Sequence, residues 1–131
     1  MAIVGLGLDV CAVERIQRIL EGPRGDRFLE RVYTAAERDV CRRRADAASA
    51  FAARFAAKEA LVKALGAPPG LRWQEMEIVR EMGAPLFRLS GIAAEEVRRR
   101  AVRIHLSMTH DGGIAAATVV LETSAPGSGG P

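Results

Sequence analysis

One segment of the chain combines charged side chains with an almost wholly apolar surround. Residues 49–66 read S-A-F-A-A-R-F-A-A-K-E-A-L-V-K-A-L-G. At about 100° per residue, a helix places Glu59 and Lys63 one turn apart on a flank and Lys58 inside a stripe of larger apolar residues. Unpaired charge on a buried helix is costly, so we predict that a counter-charge, such as a ligand, meets it. The alternative is an ordinary Glu59–Lys63 pair, with the ammonium of Lys58 extending to water.

A second carboxylate, Asp9, follows a glycine-bearing segment that we predict to be a buried strand over residues 2–8. Gly5 and Gly7 would weaken this strand unless backbone or a ligand must approach closely there. Two carboxylates on separate elements, with Lys63 beside the second, could bind Mg²⁺ and a phosphate, because hard oxygen ligands hold the cation and the lysine offsets negative charge. Such residue types are common, so the triad alone does not select a function.

Composition bounds the class of protein. With 131 residues, 49% hydrophobic and 27% charged, the chain is long enough for one domain with its own core. The net charge of +3 favours an acidic partner: a phosphorylated small molecule, an acidic protein or nucleic acid. Two cysteines without metal-ligand spacing indicate a reduced, cytoplasmic protein.

The two ends of the chain carry no targeting signal that we recognise. The N-terminus lacks a basic region and reaches Asp9 after eight residues, and no apolar run is long enough to span a membrane. We predict a single domain over residues 1–123. Residues 124–131 contain only Gly, Pro, Ser and Ala, and we predict a disordered tail.

The elements that must position these residues follow from periodicity. Strands are predicted by alternation and by turn residues, and helices by caps and apolar spacing. The predicted helices are 11–20, 26–32, 34–44, 49–65 and 91–100, and the predicted strands are 2–8, 76–79, 86–89, 102–108 and 114–122. We predict an α+β fold in which an antiparallel sheet of five strands packs on the long helix 49–65.

Four segments resemble the signature motifs of a known family. Residues 5–16, G-L-G-L-D-V-C-A-V-E-R-I, and 54–66, R-F-A-A-K-E-A-L-V-K-A-L-G, are similar to the two signatures of holo-[acyl-carrier-protein] synthases, the small bacterial 4′-phosphopantetheinyl transferases. Residues 27–34, R-F-L-E-R-V-Y-T, and 107–111, S-M-T-H-D, resemble two further segments of that family. The likeness covers residues 2–122 in order.

The resemblance implies a reaction: Mg²⁺-dependent transfer of phosphopantetheine from coenzyme A to a serine of apo-acyl carrier protein, with release of 3′,5′-ADP. Asp9 and Glu59 would be the metal ligands, and Lys63 would contact the transferring phosphate. Relatives form homotrimers with coenzyme A between subunits, and we expect the same here. The resemblance assigns coenzyme A contacts to Arg54, Lys58, Lys63, Gly83, Pro85 and His110.

The general base and the carrier dock are less sharply defined. The base is a water activated by a carboxylate, Glu59 itself, or Asp111, which is acidic where many relatives have threonine. The dock for the acidic carrier should be basic, and Arg15, Arg18 and Arg24 supply it. The arginine runs 42–44 and 98–100 carry more charge, but such runs are typical of solvated helix ends.

The sequence departs from the family pattern at two places, and two other functions remain as alternatives. Residues 66–70 read G-A-P-P-G instead of a glycine-rich G-T-G loop, and Ala84 replaces the lysine of G-K-P. A metal-dependent nuclease would fit the basic charge, but its Glu and Lys commonly lie two apart on a strand. A nucleic-acid-binding module is disfavoured because Tyr33 and Trp73 are far apart in a chain with 5% aromatics.

Overall fold

The computed structural model describes residues 1–123, and the predicted tail 124–131 lies outside the described residues. Within these residues, five helices and five strands follow the order β1-α1-α2-α3-α4-β2-β3-α5-β4-β5, with one short 3₁₀ turn at Trp73–Glu75 before β2. The helices are α1 (Val13–Glu21), α2 (Gly25–Val32), α3 (Ala35–Arg42), α4 (Ala47–Ala64) and α5 (Gly91–Arg100). The strands are β1 (Ile3–Ala12), β2 (Met76–Glu81), β3 (Ala84–Leu89), β4 (Val102–Asp111) and β5 (Ile114–Thr123).

The predicted α+β fold with a central helix is confirmed, but the strands form two sheets rather than one sheet of five. An antiparallel sheet has the order β1-β5-β4, and β2 and β3 form a separate hairpin. Helix α4 packs on the three-stranded sheet along β1 and β5. The hairpin is separate because its short strands pair only with each other among the described residues.

The glycines of β1 let α4 lie directly on the strand. A Cβ on Gly7 would come within 1.8 Å of the Ala60 carbonyl oxygen, and one on Gly5 within 2.8 Å of the Ala64 carbonyl oxygen. The expectation that backbone approaches these glycines closely is therefore confirmed. Since Ala60 and Ala64 are small, nothing else holds the helix away from the strand.

The first strand is longer than predicted. It runs through Asp9 and Cys11 to Ala12, so that Asp9 lies within the strand and α1 begins at Val13 rather than at Cys11. Cys11 is buried and pairs with Ala115 of β5, which extends the sheet past the predicted end. The apolar spacing of the helix overlapped that of the strand here, and pairing with β5 decided the boundary.

The turns and caps follow the sequence signals closely. Met82 and Gly83 both have positive φ in the tight turn of the β2–β3 hairpin, and so do Gly112 and Gly113 between β4 and β5. Primed hairpin turns require this backbone. Thr34 and Glu37 form the predicted capping box at the start of α3.

The two faces of the three-stranded sheet differ. Glycines and buried residues face α4, whereas Leu6, Leu8 and Val10 of β1 point outward and are 57–67% exposed. Strand geometry alone sends alternate side chains to opposite faces.

No α-helix of the described part of the chain is long and apolar enough to cross a membrane.

Five of the six aromatic residues form one cluster, contrary to the expectation of scattered rings. Phe28 lies 5.9 Å from both Tyr33 and Phe55, and Phe55 lies 5.5 Å from Trp73, measured between ring centroids. Tyr33 is fully buried and donates a 2.7 Å hydrogen bond to the Phe51 carbonyl. Folding of α2 onto α4 brings together rings that are far apart in sequence.

Candidate functional site

Asp9 and Lys63 meet where α4 lies on β1. The Lys63 ammonium donates to Asp9 Oδ1 at 2.9 Å and to the Leu8 carbonyl at 3.0 Å. The Asp9 side chain is 14% exposed and that of Lys63 is 52% exposed. The hydrogen bond to Asp9 raises the pKa of Lys63, so the lysine is a cation at neutral pH. A partly shielded carboxylate thus faces a cation that solvent and ligands can reach.

Glu59 completes a triad one turn before Lys63 on α4. Burial and then the negative charge of Asp9 raise the pKa of Glu59, against the opposing influence of Lys63 and Arg15. Two carboxylates that repel each other at a half-buried position suit a divalent cation. Within residues 1–123 no group of three His, Cys, Asp or Glu side chains gathers to hold a metal. Mg²⁺ commonly uses one or two carboxylates, with water and substrate phosphates as its other ligands, so Asp9 and Glu59 fit it.

The three arginines predicted to dock the carrier are exposed, and Arg15 is near enough to act on Glu59. Arg15 and Arg18 lie on α1, and Arg24 directly precedes α2. The Arg15 guanidinium sits 5.9 Å from the centroid of Phe55, and its charge partly opposes the rise that burial causes in the pKa of Glu59. The basic surface therefore extends from α1 to the edge of the triad.

Lys58 does not reach the predicted coenzyme A site. Its side chain is 0% exposed, and its ammonium donates to Glu37 Oε1 at 2.8 Å, the Val32 carbonyl at 2.9 Å and the Trp73 carbonyl at 3.1 Å. An ammonium has three N–H donors, and these three acceptors use all of them. Burial lowers the pKa of Lys58, and the Glu37 carboxylate opposes that shift. The counter-charge expected for this lysine is part of the chain itself.

Arg54 and His110 belong to a second cluster. They line a small cavity between the start of α4 and the end of β4, together with Arg44 and Arg80. Arg54 is 3% exposed, whereas the His110 side chain is 40% exposed and lies 3.5 Å from Asp46. The cavity is therefore basic, with Asp46 at its edge.

The remaining predicted residues flank this second cluster. The Gly83 carbonyl in the β2–β3 turn accepts a 2.9 Å hydrogen bond from Arg80, and Pro85 pairs with Arg80 across the hairpin. Asp111 ends β4 next to His110 and is exposed. The turn and the end of β4 thus both adjoin the basic cavity.

The two clusters lie on opposite sides of α4. Arg54 and Lys63 are nine residues apart, which at about 100° per residue places them about 180° apart around the helix. In the sheet, Asp9 pairs with Ala117, and Ala117 pairs with Met108 of β4. Two strand spacings, about 10 Å, therefore separate Asp9 from the backbone of β4. Within one chain, the predicted residues therefore form two separate clusters.

Four functional side chains escaped the sequence reasoning. The capping-box pattern already explained Glu37, so nothing in the sequence indicated that its carboxylate also pairs with Lys58. Arg44 was grouped with solvated arginines, and Arg80 and Asp46 lie in no motif. The basic cavity brings Arg44 and Asp46 of the α3–α4 loop together with Arg80 of β2, which only the folded chain shows.

Comparison with known proteins agrees with the predicted family and fold. A family model for the 4′-phosphopantetheinyl transferase superfamily matches residues 5–118. The chain is 64% identical over 123 residues to the holo-[acyl-carrier-protein] synthase of Myxococcus xanthus, covering 94% of this chain and 98% of the relative.

Solved structures of two such synthases are also similar. One, from Bacillus anthracis in complex with CoA (3′,5′-ADP), is 34% identical with a TM-score of 0.75, covering 93% of this chain and 98% of that one. The other, from Helicobacter pylori in complex with coenzyme A, is 30% identical with a TM-score of 0.76, covering 89% and 99%.

Proposed function

Because the chain belongs to the 4′-phosphopantetheinyl transferase superfamily, within its holo-[acyl-carrier-protein] synthase family, we propose that it transfers phosphopantetheine from coenzyme A to a serine of apo-acyl carrier protein. The finer proposal is that the reaction requires Mg²⁺ and releases 3′,5′-ADP. The observation that carries it is the meeting of Asp9, Glu59 and Lys63, since Lys63 Nζ lies 2.9 Å from Asp9 Oδ1 beside a carboxylate of raised pKa.

Each member of the triad has a distinct part in the transfer. Asp9 and Glu59 would hold Mg²⁺, which supplies positive charge against the diphosphate oxygens when bound. Lys63 keeps its proton and offsets the negative charge that develops on the leaving phosphate. Phosphoryl-type transfer depends mainly on alignment and charge stabilisation, so these groups suffice without a covalent intermediate.

The base that accepts the serine proton is best assigned to the Glu59 side of the triad. Its carboxylate lies one turn from Lys63, on the helix that would face the transferring phosphate, where a serine hydroxyl must lose its proton. Glu59 can act directly or through a water that it holds. Asp111 lies beside His110 at the second cluster, at least two strand spacings from the triad along the same sheet, so within one chain it is the weaker choice.

We propose that the complete site forms between two copies of the chain, as in a homotrimer. Arg54 and His110 lie on the opposite side of α4 from Lys63, yet all three are basic groups suited to the phosphates of one coenzyme A. A neighbouring copy can bring its own Arg54, His110, Gly83 and Pro85 to this triad. The outward-facing Leu6, Leu8 and Val10 give such a copy an apolar surface to cover.

The exposed arginines Arg15, Arg18 and Arg24 support docking of an acidic carrier protein. They lie on the surface that leads to Glu59, so a carrier bound there would present its serine near the triad. The carrier serves fatty-acid synthesis in this proposal, and service to polyketide carriers is a further prediction. A cytoplasmic location is predicted because Cys11 and Cys41 are free and buried.

The proposal is tested by mass spectrometry of an apo-acyl carrier protein incubated with this protein, coenzyme A and MgCl₂. The carrier should gain one phosphopantetheine on a serine, and 3′,5′-ADP should accumulate in equal amount. Glu59→Gln should reduce kcat/KM at least about a hundredfold, because it removes one metal ligand and its charge. EDTA should abolish transfer.

The matched control is Glu14→Gln, which makes the same change at an exposed position of α1. It should transfer like the unmodified chain. No mass gain with the unmodified chain would refute the transferase, and degradation of an oligonucleotide under the same conditions would favour the nuclease instead. Full activity of Glu59→Gln would remove Glu59 from the site.

A further inference from the structure

The basic cavity contains more positive charge than the protein neutralises. It has a volume of about 40 Å³ and is lined by Arg44, Arg54, Arg80 and His110. Asp46 is the carboxylate that pairs there: its Oδ1 accepts from Arg44 Nε at 3.1 Å, and its Oδ2 lies 3.5 Å from His110 Nε2. Three guanidinium groups and one carboxylate leave two positive charges in excess, even with His110 neutral.

Arg54 is a buried cation with almost no partner. It is 3% exposed, and its Nε has no hydrogen-bond acceptor among the described residues. Among residues 1–123 it donates one hydrogen bond, to the Ala50 carbonyl at 3.5 Å. Buried donors are normally satisfied, and leaving one unpaired costs stability. The floor of the cavity therefore has donors ready for an anion.

Arg80 lies at the wall of the same cavity. It donates to the Gly83 carbonyl at 2.9 Å and pairs with no carboxylate in residues 1–123. This hydrogen bond holds the guanidinium against the β2–β3 turn, where its other N–H groups remain available. Arg80 is thus a pre-positioned cation that no motif identified.

Asp46 is free to move away from this cluster. Its side chain is 42% exposed and makes no hydrogen bond that caps α4, although it precedes the first helical residue. The hydrogen bond from Arg44 lowers the pKa of Asp46, so the carboxylate carries its charge at neutral pH. An anion that competes for Arg44 and His110 would displace Asp46 into solvent without disrupting the helix cap.

The chemistry of the substrate matches this arrangement. Coenzyme A has a diphosphate, which the triad would meet, and a separate phosphate monoester on its ribose. A phosphate monoester carries close to two negative charges at pH 7, equal to the excess in the cavity. A fork of arginine donors suits its oxygens better than point charges would.

We propose that Asp46 is a resident counter-anion that the ribose phosphate monoester displaces, and that Arg80 and Arg44 bind this phosphate beside Arg54. This inference rests on the proposed function, since it takes coenzyme A as the substrate. Asp46 weakens binding because the phosphate must first separate it from Arg44 and His110. Selectivity for coenzyme A over its 3′-dephospho form is therefore set by the balance between Arg80 and Asp46.

The test compares coenzyme A with 3′-dephospho-coenzyme A by titration calorimetry of the purified protein with MgCl₂. Asp46→Asn keeps the size of the side chain and removes its charge, so it should lower the Kd for coenzyme A about three- to tenfold. Arg80→Gln should raise the same Kd by a similar factor. Neither variant should change the Kd for the dephospho form by more than about twofold.

Two control variants remove the same charges elsewhere. Asp39→Asn acts on an exposed carboxylate paired with Arg43, and Arg88→Gln acts on an exposed cation of the same hairpin. Both should leave the two affinities unchanged at about 150 mM salt, where distant exposed charges are screened.

The outcomes separate the two proposals. If the unmodified chain modifies the carrier but Asp46→Asn alters both affinities equally or neither, the counter-anion role is overturned and the transferase stands. If Arg80→Gln binds coenzyme A normally, Arg80 is not a ligand of the phosphate. A protein that binds neither nucleotide and modifies no carrier overturns both proposals.

Discussion

Two lysines of α4 show how burial divides chemical roles between identical side chains. Lys58 is 0% exposed, and its three N–H groups donate to Glu37 and to two backbone carbonyls. The side chain of Lys63 is 52% exposed and contacts both Asp9 and solvent. Removing one partner of a buried pair leaves an uncompensated charge. Lys58 therefore ties α3, α4 and the Trp73 turn together, and Lys63 remains available for a phosphate.

At the same scale, the charge of Glu59 that is proposed to serve activity is predicted to lower the stability of the metal-free protein. Its pKa in the folded protein lies above the usual 4.5, so the folded protein holds the Glu59 proton more tightly than the unfolded chain does. The contribution of this group to the free energy of unfolding therefore falls as pH rises from about 4.5 through the raised value. Ionised Glu59 destabilises the metal-free protein.

Glu59→Gln should consequently raise the melting temperature of the protein in EDTA at pH 7, by a few degrees at most because solvent screens the site. The gain should shrink as pH falls through the raised pKa, where Glu59 itself takes up a proton. MgCl₂ should stabilise the unmodified chain more than the variant. Scanning calorimetry between pH 4.5 and 8 checks this, and a gain that does not vary with pH would contradict it.

At the scale of elements, the contact between β1 and α4 builds the triad. Gly7 lies two residues before Asp9 on the same face of β1, and it admits the Ala60 backbone of α4. This contact brings Lys63 within 2.9 Å of a carboxylate 54 residues earlier in the chain. The glycine thus positions the site without touching it.

Gly7→Ala should therefore reduce both stability and activity. Its Cβ would lie 1.8 Å from the Ala60 carbonyl oxygen, which is backbone and cannot rotate away. We expect a loss of about 3 kcal/mol or more in the free energy of unfolding, measured by urea titration. Gly22→Ala, where the nearest atom is 3.2 Å away, should cost about 1 kcal/mol or less. Equal costs at the two positions would contradict this explanation.

At the scale of the whole molecule, the division of basic groups around α4 supports the proposal of a site shared between copies of the chain. Arg54 and Lys63 point to opposite sides of the helix, and the outer face of the three-stranded sheet exposes Leu6, Leu8 and Val10. An assembly that covers this face with a second copy could also join the two half-sites. Oligomerisation and catalysis are then coupled.

Leu6→Glu should separate the copies, because it places a charge on the covered face of the sheet. Light scattering after size exclusion should show a folded monomer, and kcat/KM should fall at least about tenfold although the triad is unchanged. Val40→Glu makes a similar change on α3, where an apolar residue is 47% exposed, and should remain assembled and active. A monomeric unmodified chain with full activity would refute the shared site.

The sequence by itself determined most elements and turns, and it nominated the residues of the triad. Glycine, cap and alternation signals act over a few residues, so they predicted α4, the capping box at Thr34 and both hairpin turns. The family resemblance nominated Asp9, Glu59 and Lys63, and the structure pairs Lys63 with Asp9. The elements and turns depend on local spacing, which a sequence displays directly, whereas the contact of Asp9 with Lys63 joins residues 54 apart.

Only the tertiary structure decided which charges are internal and which face a ligand. Lys58 and Arg54 lie four residues apart on one helix, yet one meets Glu37 while the other faces a cavity with an unpaired donor. The split into two sheets, the end of β1 and the contacts of Arg80 and Asp46 were decided the same way. Each depends on a partner distant in sequence, because burial and Coulomb energy follow distances in space rather than positions along the chain.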